Sequence, residues 1–175
     1  MPIKTSVKAP SEKPTHVLSF DPGIQGAICF YESATRRIQV FDMPVVNGRV
    51  DAARLAQIVD QCSFQAGRRV HAAIEQVSSM PRQKGSFNFG VSAGIIQGVL
   101  GALGIPFTMV QPALWKGAVG LRKTVGETQA ENKTRARELA SKLWPEMAGE
   151  FKRVKDDGRA ESALIARFAA SKAGL

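Results

Sequence analysis

Cysteine is nearly missing from this chain of 175 residues: only Cys29 and Cys62 occur, in no CxxC or CxxH spacing. That excludes a disulfide framework and a thiolate zinc site and leaves two reduced, buried thiols. No stretch approaches the roughly 18 unbroken apolar residues of a membrane span, so no anchor in a membrane is expected. The first residues, MPIKTSVKAPSEKPT, have no apolar run of the secretory kind; they read as a flexible basic tail over 1–14, followed by one domain over 15–175. Acids are also scarce relative to bases, 15 Asp and Glu against 24 Lys and Arg, for a formal charge of +9. A surplus of this size favours a polyanionic partner, with nucleic acid foremost. The remainder, 44% hydrophobic and 22% charged, is ordinary for a folded globular protein.

The chain reads as strands first and helices later. HVLSFDPGIQGAICFYE (16–32) holds two β-branched and aromatic runs around Pro22-Gly23, a hairpin, and Ile38 to Phe41 adds a third strand before the Asn47-Gly48 turn. From Asp51 to Gln65, Leu55, Ile58, Val59 and Cys62 fall at helical spacing behind an Asp51 cap. VHAAIEQV (70–77) is a short buried strand; 79–88 has the Pro, Gly and basic content of a loop; Gly90 to Leu103 is a helix. IPFTMV (105–110) is a fifth strand, 116–132 is a connection that reads as a mobile segment, and helices follow over Lys133–Leu143 and Asp157–Ala173. The order is βββαβαβαα. Gly90, Gly94, Gly98 and Gly101 leave one face of the middle helix almost bare, fit either for a dimer seam or for packing on its own sheet.

Most of the acids sit where water solvates them, but a few do not. Asp21 ends the apolar run Val17 to Phe20, and Glu75 lies in Ala72-Ala73-Ile74, a strand apolar on both faces. Asp157 and Glu161, four apart, open the last helix on one face beside Ala160, Ala163 and Leu164. Each has a plain structural reading as well: a turn former at Asp21, a buried ion pair at Glu75, a helix cap and a first-turn carboxylate at Asp157 and Glu161, with Asp156 as an alternative cap. Together they bring carboxylates from two strands and a helix start, the donors that hard divalent cations take.

These residues resemble the RuvC type of Holliday junction resolvase, within the RNase H-like superfamily: Asp-Pro-Gly ending strand one, a Glu ending strand four, an acid cluster opening the last helix, and the stretch SFNFGVSAGIIQGVLGALGIPFTMVQPALWK. The resemblance spans nearly the whole chain beyond the tail. It implies an α/β, RNase H-like fold with a five-stranded mixed sheet, a three-strand antiparallel meander plus two parallel strands, flanked by helices. It makes Asp21, Glu75, Asp157 and Glu161 metal ligands and catalytic residues, and places Lys116 and Lys133 at the scissile phosphate. The family usually ends in two Asp three apart, whereas here Asp157 and Glu161 are four apart with Asp156 adjacent, as in a divergent phage or mobile-element branch.

Two Mg2+ ions per site are implied, with Mn2+ able to substitute. The reaction is paired phosphodiester hydrolysis at four-way DNA junctions, leaving 5′-phosphate and 3′-hydroxyl ends, by a homodimer in the cytoplasm of a bacterial or phage-infected cell. Neither His16 nor His71 has a part. Arg82, Lys84, Arg122, Lys123, Arg135 and Arg137 are candidate DNA contacts, as are Phe87 and Phe89, which could insert at a junction or belong to the core. Two rival readings share the fold: a nuclease for branched DNA or RNA–DNA hybrids in general, and a junction-binding module without catalysis.

Overall fold

The computed structural model of the protein describes residues 13–76 and 86–175. Its centre is a five-stranded sheet in the order β3-β2-β1-β6-β7. Strands β1 (His16–Asp21), β2 (Ala27–Glu32) and β3 (Ile38–Asp42) form an antiparallel meander, and β6 (Val70–Glu75) runs parallel to β1 and to β7 (Phe107–Val110). This is the expected mixed sheet. Two two-residue strands, β4 (Val45–Val46) and β5 (Arg49–Val50), close a small separate hairpin across Asn47-Gly48, where both turn residues have positive φ.

Strand β1 is buried on both faces because helices cover the sheet from both sides. Its alternation divides the core. Leu18 and Phe20 join Ile28, Phe30 and Ile74 beneath α1 (Ala52–Gln65) and α2 (Ser86–Ala102). Val17 faces the other layer, with Cys29, Tyr31 and Ala73, under α4 (Gln129–Leu143) and α5 (Asp157–Ala173). Asp51 caps α1 through Ala53 and Arg54 N–H, and Thr128 with Glu131 forms a full capping box on α4, so both helix starts are locally encoded.

Three elements differ from the sequence reading, the simplest being α4, which begins at Gln129 instead of Lys133. Helix α2 begins at Ser86 instead of Gly90, so Phe87 and Phe89 lie in its first turn. The connection 116–132 is not uniform: α3 (Pro112–Ala118) opens it, and its loop is tied to α4 by Asn132, which donates to the Leu121 carbonyl, and by Arg135. The ties of the loop to α4 are long-range, whereas Pro112 at the first position of α3 is a local start signal. Arg82 and Lys84 lie outside the described residues.

Helix α5 packs unusually close to the meander. Ser19 donates to the Ser162 carbonyl at 2.6 Å, and Ala160, Ala163 and Ala166 face the sheet fully buried. At Gly158, a Cβ would stand 2.8 Å from the Gln25 carbonyl oxygen and 3.0 Å from Gly26 backbone. Gly26 is itself confined, since a Cβ there would stand 1.9 Å from the Asp21 carbonyl oxygen. Alanine normally helps an open helix by up to about 1 kcal/mol relative to glycine. Gly158→Ala should instead destabilise the protein by about 1–2 kcal/mol, because the neighbour is backbone and cannot yield. Chemical denaturation measures this, and a gain in stability would refute the close approach.

Candidate active site at the ends of β1 and β6

Parallel pairing of β1 with β6 sets their C-terminal ends side by side, which brings Asp21 and Glu75 to one edge of the sheet. The start of α5 lies across that edge and adds Glu161, one turn in. Glu75 and Glu161 are buried, 8% and 7% exposed, and Asp21 is partly so. Burial pushes the Asp21 carboxyl well above the usual carboxylate range; Glu161 and then Glu75 push it further, and Lys133 and Lys116 oppose them. Glu75 is raised as well, by burial first and by Glu161 second, against the Trp115 hydrogen bond and Lys116. Three acids thus repel one another in a poorly solvated place.

Cations and donors from α3 and α4 answer them. Lys116 Nζ donates to Glu161 Oε1 at 2.8 Å. Burial works against the Lys116 ammonium, but Glu161, with Glu75 and Asp21, holds its pKa above the ordinary value. The Trp115 indole Nε1, fully buried, donates to Glu75 Oε1 at 2.8 Å. Sequence reading missed Trp115; its position before Lys116 is the only trace of it, because the contact joins residues forty apart.

The acid pair on α5 divides. Asp157 faces Lys133 Nζ and Arg137 Nε, each 3.2 Å away, although the Arg137 contact is misaligned for a hydrogen bond and leaves Asp157 Oδ1 without one. Asp157 does not figure among the groups that shift Asp21 or Glu75. Asp156 is placed elsewhere: Arg153 grips both its oxygens through Nε and Nη2 at 2.8–3.2 Å, and the Arg153 backbone N–H adds a fourth bond. Burial would raise the Asp156 carboxyl, but these bonds hold it below the usual range. Asp156 is thus tied to Arg153 and makes no side-chain bond to the start of α5, so of the acids around that helix start Glu161 stands with Asp21 and Glu75.

The remaining candidates separate by surroundings. Arg122 and Lys123 are exposed, whereas Arg135 binds Glu127 at 2.7 Å and the Gly120 carbonyl at 2.8 Å, and Arg137 is turned to Asp157 and Thr134. Phe87 is 79% exposed, while Phe89 lies against Gly23, where a Cβ would stand 3.0 Å from its ring. Neither histidine approaches the acids: His16 stacks on Phe30 at 4.9 Å, and His71 lies 3.3 Å from Thr108 Oγ1.

Among the described residues, no three acids, histidines or cysteines converge tightly enough to cage an ion as the side chains stand. The donor chemistry nevertheless suits a hard divalent cation. The carboxylates are oxygen donors held in mutual repulsion, and positive charge placed among them relieves the strain that raises Asp21 and Glu75.

The sequence matches no family model and no curated protein. Solved structures do match. Thermus thermophilus RuvC in complex with a Holliday junction substrate aligns at a TM-score of 0.53 and 18% identity, over 90% of this chain and 96% of that one. A second Thermus thermophilus RuvC structure aligns at 0.56 and 15%, over 91% and 96%. The sheet order and the helices on both faces are those of the RNase H-like fold in its RuvC form.

Proposed function

We propose that the protein is a metal-dependent endonuclease that resolves four-way DNA junctions. The observation that carries this reading is the trio Asp21, Glu75 and Glu161, crowded at one end of a RuvC-like sheet, where burial and the neighbouring carboxylates raise Asp21 and Glu75. Surplus positive charge, and the junction-bound state of one structural relative, support DNA as the partner.

Asp21, Glu75 and Glu161 would hold magnesium, with Asp157 joining from the same face of α5 as Lys133 turns to substrate. Magnesium bound there would supply a hydroxide nucleophile and stabilise the leaving 3′ oxygen for in-line hydrolysis, giving 5′-phosphate and 3′-hydroxyl ends. Lys116 and Lys133 hold non-bridging oxygens of the scissile phosphate and take up the charge that develops on them. Trp115 fixes Glu75 by one oxygen and leaves the other for the ion. Paired cuts need two such sites, so the functional form is a two-fold dimer. The exposed face of α2, where among the described residues nothing outside the helix backbone lies within 4 Å of an added Cβ at Gly94, Gly98 or Gly101, supports α2 as the seam.

Labelled four-way junction, flap, fork, linear duplex and RNA–DNA hybrid, incubated with magnesium or EDTA, test the reading. Symmetric, magnesium-dependent nicking of the junction alone is expected; equal cutting of all branched substrates would demote it to a general branch nuclease, and binding without cutting would remove the catalysis. Asp21→Asn should abolish cutting and also raise the melting temperature by a few degrees in EDTA, because it removes the cost of burying this carboxylate and its repulsion by Glu161 and Glu75, together about 1 kcal/mol. A drop in melting temperature would contradict the electrostatic account.

Trp115→Phe keeps the buried ring and removes the indole donor. Mn2+ binding by calorimetry should weaken roughly tenfold or more, the usual effect of losing a partner behind a ligand. Unchanged Mn2+ affinity in a folded variant would show that the bond to Glu75 is only structural.

A further inference from the structure

Beside the acids, a cleft of about 560 Å³ opens between α3, the loop after it and the start of α4. Lys116 is common to both places: its ammonium holds Glu161, and its side chain forms a wall of the cleft. Any strand whose phosphate reaches Lys116 therefore passes the cleft mouth.

The lining has three chemistries in separate places. Pro112, Ala113 and Leu121 supply an apolar surface. Arg122 and Lys123 supply positive charge on exposed side chains, and neither pairs with an acid among the described residues. Gln129 and Asn132 supply amides; Asn132 uses its N–H2 on the Leu121 carbonyl at 3.0 Å, which leaves its carbonyl oxygen as an acceptor. An apolar face, an amide edge and a cation together match the base face, base edge and phosphate of one nucleotide.

This part of the chain is braced. Arg135 joins Glu127 to the Gly120 carbonyl, and Glu127 accepts from the Thr124 backbone N–H at 2.8 Å. The Arg122 guanidinium lies on Gly117, where an added Cβ would stand 2.8 Å from Nε. Gly117 thus makes the room that lets Arg122 lie beside Lys116. A braced loop loses little freedom on binding, which is what a discriminating subsite requires.

We propose that this cleft receives one nucleotide of the cleaved strand next to the scissile phosphate, and that its amides make cutting depend on the base there. The proposal rests on the nuclease reading for its catalytic consequence, but not for binding. Arg135 is then a positioning residue for the subsite, acting through the loop rather than on DNA.

Two measurements separate the inferences. In EDTA, 2-aminopurine is moved one position at a time through a four-way junction, and its fluorescence is read on adding the protein. A change confined to one or two positions, and lost in Ala113→Trp, is expected; Ala113 is exposed, so the large ring fills the cleft without entering the core. With magnesium, junctions randomised near the cut should be cleaved with roughly tenfold bias at one position. Gln129→Ala should flatten that bias while cleavage of the least-favoured junction persists, an outcome that a merely structural glutamine would not give. A fluorescence signal at no position, or one untouched by Ala113→Trp, overturns the subsite whatever the cleavage result. Bias that survives Gln129→Ala overturns base reading by the amide. A localised signal with no magnesium-dependent cutting leaves the subsite standing and removes the nuclease reading instead.

Discussion

Asp21, Glu75 and Glu161 must coexist at a sheet edge where little water reaches them, and much of the remaining architecture answers that constraint. Carboxylates in such a place cannot all stay ionised without compensation, and here both Asp21 and Glu75 are displaced toward the neutral form. Compensation comes from α3 and α4, which lie far along the chain and bring Lys116, Trp115 and Lys133 to the same edge. The cations are not ornaments on a finished fold. Removing Lys116 would leave Glu161 buried and unpaired, the costly half of any buried ion pair.

That electrostatic arrangement depends on close packing in turn. Glu161 reaches Asp21 only because α5 lies almost against the meander, and α5 can lie there because Gly158, Ala160 and Ala163 present so little bulk. The Ser19 bond to the Ser162 carbonyl fixes the same approach from the strand side. A larger residue at Gly158 would move the helix start first, and the helix start carries the acids. Stability and site geometry are therefore coupled through a backbone contact that contains no functional group.

How far the sequence foretold this follows from how local each signal was. Alternation in 16–32, the Asp51 cap and the start of α5 at Asp157 are encoded within a turn or two, and the sheet and most helices were read from them. Asp21 and Glu75 were visible as charges in apolar runs. Trp115 was not, since a buried indole looks like any core aromatic until its partner forty residues away is placed. The choice among Asp156, Asp157 and Glu161 was also closed to pattern: it turns on Arg153 gripping Asp156 and on Lys133 and Arg137 facing Asp157. The start of α2 at Ser86 parted Phe87 from Phe89, one exposed and one packed on Gly23, where the sequence treated them alike. The loop after α3 read as featureless because its order comes from Arg135, on the following helix.

A shared fold does not carry an activity, and at 15–18% identity the structural relatives lend this chain a scaffold only. The stronger argument lies in what the site costs. A protein that merely bound branched DNA could do so with surface lysines and arginines and would gain stability from a neutral residue at Asp21. Three crowded acids, each on a different backbone element, with Asp21 and Glu75 raised by burial and by their neighbours, are a standing cost in the folded state. A divalent cation would offset that cost, most completely with phosphate oxygens as its remaining ligands. The same arrangement would therefore favour a metal and the DNA backbone together, which is the condition that the proposed hydrolysis requires.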